Sequence, residues 1–139
     1  MQKQVGFPLY FEILGNPITK KNSQNIYINK STGKRFISPS TQYKKYKQAA
    51  GWSFHGADTE LKINVPVNIK CLYYMETRRT VDLTNLLEAT DDILVDFGIL
   101  EDDNCKIIVG HDGSRVMYAG KNGNPRVEIT IELAELTFR

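Results

Sequence analysis

Residues 80–105 read TVDLTNLLEATDDILVDFGILEDDNC. Two patterns overlap in that stretch. Leu83, Leu86, Leu87, Thr90, Ile93, Leu94 and Phe97 recur at the i, i+3, i+4 spacing of one helix face, which predicts a helix over 82–97. Gly98 follows in the position where a left-handed residue ends a helix. The same stretch holds eight carboxylates (Asp82, Glu88, Asp91, Asp92, Asp96, Glu101, Asp102 and Asp103) and no Lys or Arg.

Working outward, Pro8–Leu14 (PLYFEIL) favours a strand and Gly15-Asn16-Pro17 stops it. Ile26 and Ile28 on one side of Asn29–Lys34, with Phe36 on the other, predict a hairpin. A helix is expected from Ser40 or Thr41, with Tyr43, Tyr46, Ala50 and Phe54 on its inner face. Alternation at Val65, Val67, Ile69, Cys71 and Tyr73 predicts a strand over 61–75, with Pro66 making its beginning an edge or a bulge. Lys106–Val109 and Arg126–Leu133 are two more strands. The expected architecture is a single α/β (α+β) domain over residues 1–139, a mixed sheet of about five strands with two packed helices.

Composition is that of an ordinary globular chain, 139 residues with 41% hydrophobic and 24% charged. No apolar run approaches the ~20 residues of a membrane span, and residues 1–14 lack the pattern of a secretory signal. Cys71 and Cys105 lack metal-type spacing and are read as reduced thiols, so a cytoplasmic protein is expected. The net charge of +2 hides a polarised chain. Residues 1–50 carry nine Lys/Arg against Glu12 alone, a net of +8, while residues 51–139 carry nine bases against fifteen acids, a net of −6. An acidic segment needs cations and a basic one needs anions, a combination suited to bringing divalent metal to a phosphate backbone.

At ~100° per residue, Asn85, Glu88 and Asp92 fall on one side of the second helix, and Asp82 lies at its start. If the strand after Asp102-Asp103 pairs beside the strand that leads to Asp82, acids from separate elements share one site. Such a cluster is unfavourable without cations. Oxygen donors without clustered His or Cys suit Mg²⁺ or Mn²⁺ rather than zinc. Taken singly, the acids have blander readings: Asp82 is an ordinary N-cap, Asp91 and Asp96 solvate the helix, and Glu101 and Asp102 decorate a turn.

The run Arg78-Arg79-Thr80-Val81-Asp82-Leu83-Thr84-Asn85-Leu86-Leu87, then Asp92-Ile93-Leu94, then Gly98–Asp103 resembles the RusA-like Holliday junction resolvases. Gly15-Asn16-Pro17, Lys20–Ser23 and the Tyr43–Tyr46 segment extend the similarity over most of the chain. The resemblance implies a homodimeric, Mg²⁺-dependent endodeoxyribonuclease that cuts four-way DNA junctions, with Mn²⁺ as a substitute and no small-molecule cofactor or membrane partner. Asp82 and Asp103 match the family's metal-binding acids, Asp92 its helix carboxylate, and Asp102 is the other acid of the pair. Two positions depart from the family pattern: Thr84 stands where a second Asp is usual and Glu88 where a Lys is common. Glu88 is the expected replacement ligand, and Lys106 or Arg115 the replacement cation.

Phosphate contacts are expected from Lys20, Lys21, Lys34 and Arg35, with Arg78 and Arg79 beside the acids and Lys106 and Arg115 beyond them. Lys30 extends that basic set, Lys44, Lys45 and Lys47 either extend it or solvate a helix face, and Tyr27 and Tyr43 either stack on exposed bases or, more often for such residues, belong to the core. In His111-Asp112-Gly113-Ser114-Arg115 the arginine suits a phosphate clamp and Asp112 a further ligand or base, while His111 reads as a strand-end imidazole with no task or, less commonly, as a catalytic group. The alternatives to junction resolution are a non-catalytic DNA-binding protein of the same fold and a nuclease acting on forks and flaps.

Overall fold

The computed structural model describes residues 6–20, 25–28, 30–38, 41–54 and 61–134. Strand β1 is Leu9–Leu14, β2 Asn25–Ile28, β3 Arg35–Ser38, β4 Val67–Met75, β5 Ile108–Gly110, β6 Arg115–Tyr118 and β7 Arg126–Leu133; helix α1 is Thr41–Ser53 and α2 Leu83–Asp96. The main sheet has five strands in the order β1-β7-β4-β5, with β6 also paired to β4. β7 is antiparallel to β1 and β4, whereas β5 and β6 run parallel to β4. This is the expected mixed sheet with two helices, in one small α+β domain. β2 and β3 form the expected hairpin as a sheet of their own.

Alternation sets which face is buried. Cross-strand register aligns Phe11, Ile129 and Cys71 in one row and Ile13, Val127 and Tyr73 in the next, and all six are buried. Ala50 and Phe54 at the end of α1, with Leu86, Ile93 and Leu94 of α2, complete that core. The Tyr73 hydroxyl reaches the Thr90 hydroxyl at 2.7 Å, so the deepest tyrosine carries its polar tip to a partner on α2.

Helix α2 ends as its glycine predicts. Gly98 has φ +77, its N–H bonds Val95 O at 3.0 Å, and Ile99 N–H bonds Leu94 O at 2.9 Å. That pair of bonds is a Schellman motif. It sends the chain back along residues 62–63, where Ile63 bridges Leu100.

Two expectations are corrected and one strand is added. The strand predicted over 61–75 begins only at Val67, one residue after Pro66, in the interior of the sheet rather than at an edge, and its start carries an irregularity of the expected bulge kind, the register to β5 shifting between Val67 and Asn68. The strand predicted at 106–109 is Ile108–Gly110, because Ile107 and Ile108 first bond Asn104 O in a turn. Arg115–Tyr118, for which no element was expected, is a strand. No helix among the described residues is long and apolar enough to cross a membrane. Cys71 is buried and Cys105 exposed, and both are unpaired.

Candidate active site

Helix α2 distributes its acids to different neighbours. Asp82 is its N-cap residue, exposed, in extended conformation and without a side-chain capping bond; Asn85 Nδ2 donates to its Oδ2 at 3.3 Å. Glu88 is exposed one turn further on.

Asp92 turns towards α1, where the Tyr43 hydroxyl donates to Oδ2 at 2.8 Å and Lys47 Nζ lies at 3.4 Å. Lys47 also bonds Asp96. Partial burial raises the Asp92 pKa, but the Tyr43 hydrogen bond and the charges of Lys47 and Lys20 outweigh it and hold the carboxyl below its ordinary value. Burial, then the Asp92 contact, pushes the Tyr43 hydroxyl well above its ordinary range. Of the two readings of Tyr43 these bonds support the core one, since it is buried against Asp92 rather than open to a base, and Lys47 is an interhelical partner instead of a phosphate contact or a solvated lysine. A depressed carboxylate adds stability above its unfolded pKa of about 3.9, which is lost as pH falls through the lower folded value. Asp92→Asn is therefore expected to cost about 1–2 kcal/mol at pH 7 and to flatten the acid limb of stability, measured by urea unfolding at pH 7 and below pH 4.

Asp91, one residue earlier and about 100° around the helix, is buried at 8% exposure and faces the opposite flank. Its Oδ2 and Oδ1 lie 2.9 and 3.1 Å from His111 Nε2. Burial raises the Asp91 pKa, the hydrogen bond and charge of His111 pull it back, and the negative charge of Asp103 adds to the rise. No task was expected of Asp91, and for His111 an idle imidazole was the commoner of two expectations. The signal was present: Asp91 follows Leu87 by four and precedes Leu94 by three, so it sits on the apolar stripe, where a carboxylate needs a partner.

The His111–Ser114 loop is fastened to β4. Asn68 accepts Asp112 N–H at 2.8 Å and donates to Asp112 O at 3.1 Å. The Ser114 hydroxyl accepts Cys71 N–H at 2.9 Å, filling the gap in the ladder between β5 and β6. Gly113 supplies the φ of +88 that the turn requires, and a Cβ there would stand 2.9 Å from Lys70 Cδ.

In the double-Asp turn, Asp102 Oδ1 accepts Asp103 N–H at 2.8 Å and Oδ2 accepts Asn104 Nδ2 at 3.1 Å. The Asp103 N–H, first among these donors, holds the exposed Asp102 carboxyl below its usual value. Asp103 is exposed. The strand that follows pairs with the start of β4, Val67 against Ile108, whereas Asp82 follows the far end of β4. Asp103 instead acts on Asp91, nine residues and about 13.5 Å of helix axis from Asp82. Among the described residues, no three His, Cys, Asp or Glu side chains gather to hold a metal ion. Mg²⁺ is commonly held by one or two carboxylates, retained waters and the substrate's own phosphates. Asp82 and Asp103 are exposed and each suits that mode singly, although the structure places them apart, and Asp82, Asp92 and Asp102 already accept hydrogen bonds.

The cations lie at several places. The Arg78 guanidinium sits 4.1 Å over the Tyr118 ring, tying the approach to α2 to the end of β6. Arg79, Lys106, Arg115 and Lys34 are exposed, and Lys20 is half-buried with its charge acting on Asp92. Lys21 and the side chains of Arg35 and Tyr27 lie outside the described residues, as does Ser40.

No match was found among curated proteins. The family model for Endodeoxyribonuclease RusA matches residues 15–132. That span runs from the turn after β1 almost to the end of β7, and it includes the double-Asp turn and both helices. The chain belongs to the RusA endodeoxyribonuclease family.

Proposed function

We propose that this endodeoxyribonuclease cuts four-way DNA junctions by Mg²⁺-dependent phosphodiester hydrolysis, acting as a homodimer in the cytoplasm. The observation that carries the reading is the family match across the whole acidic segment. Asp82 and Asp103, exposed on separate elements, are the first carboxylates to hold Mg²⁺, and Glu88 on the exposed side of α2 takes the place of the ligand that Thr84 lacks. Bound Mg²⁺ neutralises phosphate charge and lowers the pKa of its water. Arg78, braced on Tyr118, and Arg79 bind the phosphates flanking the cut, and Arg115 at the start of β6 offers a fork for bidentate phosphate binding. Lys106, exposed after the double-Asp turn, supplies a further positive charge. A junction presents two strands for symmetrical cutting, which a twofold dimer matches.

The test is cleavage of a synthetic four-way junction, a replication fork and a linear duplex, each with Mg²⁺ or with chelator. Paired symmetrical nicks in the junction alone, dependent on Mg²⁺, are expected. Equal cutting of the fork would identify a broader branched-DNA nuclease, and binding without cutting a non-catalytic protein. Glu88→Ala is expected to slow cleavage at least about tenfold, within the range seen when groups that support a metal site are removed. An unchanged rate would exclude Glu88 as a ligand.

A further inference from the structure

Among the described residues, the Asp91–His111 pair is a part-buried polar contact between α2 and the loop after β5 that the proposed metal ligands leave unused. Fold stability alone does not call for it. A carboxylate on the apolar stripe of a helix is costly, and a Leu there would extend the packing of Leu87 and Leu94. The geometry is that of an oriented imidazole. An ionised Asp91 can only accept, so His111 Nε2 carries the proton at 2.9 Å and the basic lone pair of the neutral ring is on Nδ1. The His111 side chain is 25% exposed against 12% for Asp91, so the imidazole is partly reachable by water while the carboxylate that orients it is largely enclosed. Clamping of the loop by Asn68 and Ser114 fixes where that ring stands. Only the three residues of β5, about 10 Å of strand, lie between the turn that follows Asp103 and His111 itself.

We propose that His111, oriented by Asp91, is the proton-handling catalytic residue of phosphodiester cleavage. The inference rests on the nuclease reading above. His111 Nδ1 takes a proton from the attacking water as its oxygen bonds to phosphorus. The bond from phosphorus to the 3′-oxygen breaks, its electron pair stays on that oxygen, and a proton from solvent completes the 3′-hydroxyl. Asp91 keeps its charge throughout and acts as a positioning residue. Asp91 from α2 bonds His111; the other charged groups around the loop are Asp103, whose charge acts on Asp91, Asp112 within the loop, Lys70 of β4 beneath Gly113, and Glu132 of β7, which accepts from Asn68 at 3.1 Å.

Single-turnover cleavage of a four-way junction with Mg²⁺, across pH 5.5 to 8.5, tests this on the full chain. His111→Ala is expected to slow cleavage about 10²–10⁴-fold, the usual contribution of a general base. Junction binding should be retained, the acid limb of the pH–rate profile should disappear, and added imidazole should restore part of the rate. His111→Gln, whose amide can still donate to Asp91 but has no base, guards against simple misfolding and is expected to show the same loss. Asp91→Asn should slow the reaction with the acid limb displaced. An unchanged rate in His111→Gln overturns the proposal. So does a loss that imidazole does not restore and that leaves the profile's shape intact, because it marks a structural brace. If the wild-type chain cuts no branched DNA, the nuclease reading fails, and this inference with it.

Discussion

Asp103→Asn and Asp82→Asn are each expected to reduce Mg²⁺-dependent junction cleavage by about 10²–10³-fold, with junction binding nearly unchanged. The magnitude follows from what a carboxylate does in such a site. A held cation contributes several kcal/mol of charge stabilisation, and each 1.36 kcal/mol lost is about tenfold in rate. Both side chains are exposed, and neither is buried in the core, so the folded state should tolerate the amide. Asp102→Asn offers a contrast. Its amide oxygen can still accept Asp103 N–H, which preserves the turn, and a loss much smaller than that of Asp103→Asn is expected. Quantified nicking with parallel gel-shift binding checks all three. A fall in cutting that matches a fall in binding would point to DNA contact rather than metal retention.

Phe54→Ala is expected to have the largest effect on stability, about 3–5 kcal/mol, close to the upper range for core truncations. Phe54 is fully buried just after α1, with its ring centroid 5.3 Å from Phe11 of β1 and 5.8 Å from Phe97 at the end of α2. It therefore joins three elements at one point, and its removal leaves a cavity that none of them can close alone. Gly51 lies against the same cluster, where a Cβ would come within 2.8 Å of Phe97. Against a total stability of about 5–15 kcal/mol, the loss corresponds to a fall in Tm of about 10–20 °C. Calorimetry on the wild-type and variant chains checks it, and a fall under about 3 °C would show that the cluster is not central to the core.

Much of the fold was legible because its strongest signals are periodic. The leucine and isoleucine spacing gave α2 within one residue at each end, and Gly98 announced the Schellman turn. Alternation located β7 and the buried row of β4. What escaped was set by contacts distant in sequence. β6 has four residues and little to distinguish it from a loop until it pairs with Leu72–Met75. The register of β5 against the start of β4, not its end, is likewise tertiary, and it moves the double-Asp turn towards Asp91. Within the site, helix geometry correctly separated Asp92 from the apolar stripe, yet it could not show that Tyr43 and Lys47 occupy it. Asp91 was passed over because its charge was taken as a sign of exposure, although Leu87 and Leu94 bracket it on the inner face.

The central claim is that Asp82 and Asp103 hold the divalent ions that cut DNA. Anomalous diffraction from crystals of the full chain with Mn²⁺ and an uncleavable four-way junction tests it most directly. Manganese peaks held by Asp82 and by Asp103 oxygens, each with a junction phosphate among its ligands and the second lost in Asp103→Asn crystals, are the predicted result. Manganese bound elsewhere, or persisting on the phosphates with both carboxylates turned to solvent, would contradict it.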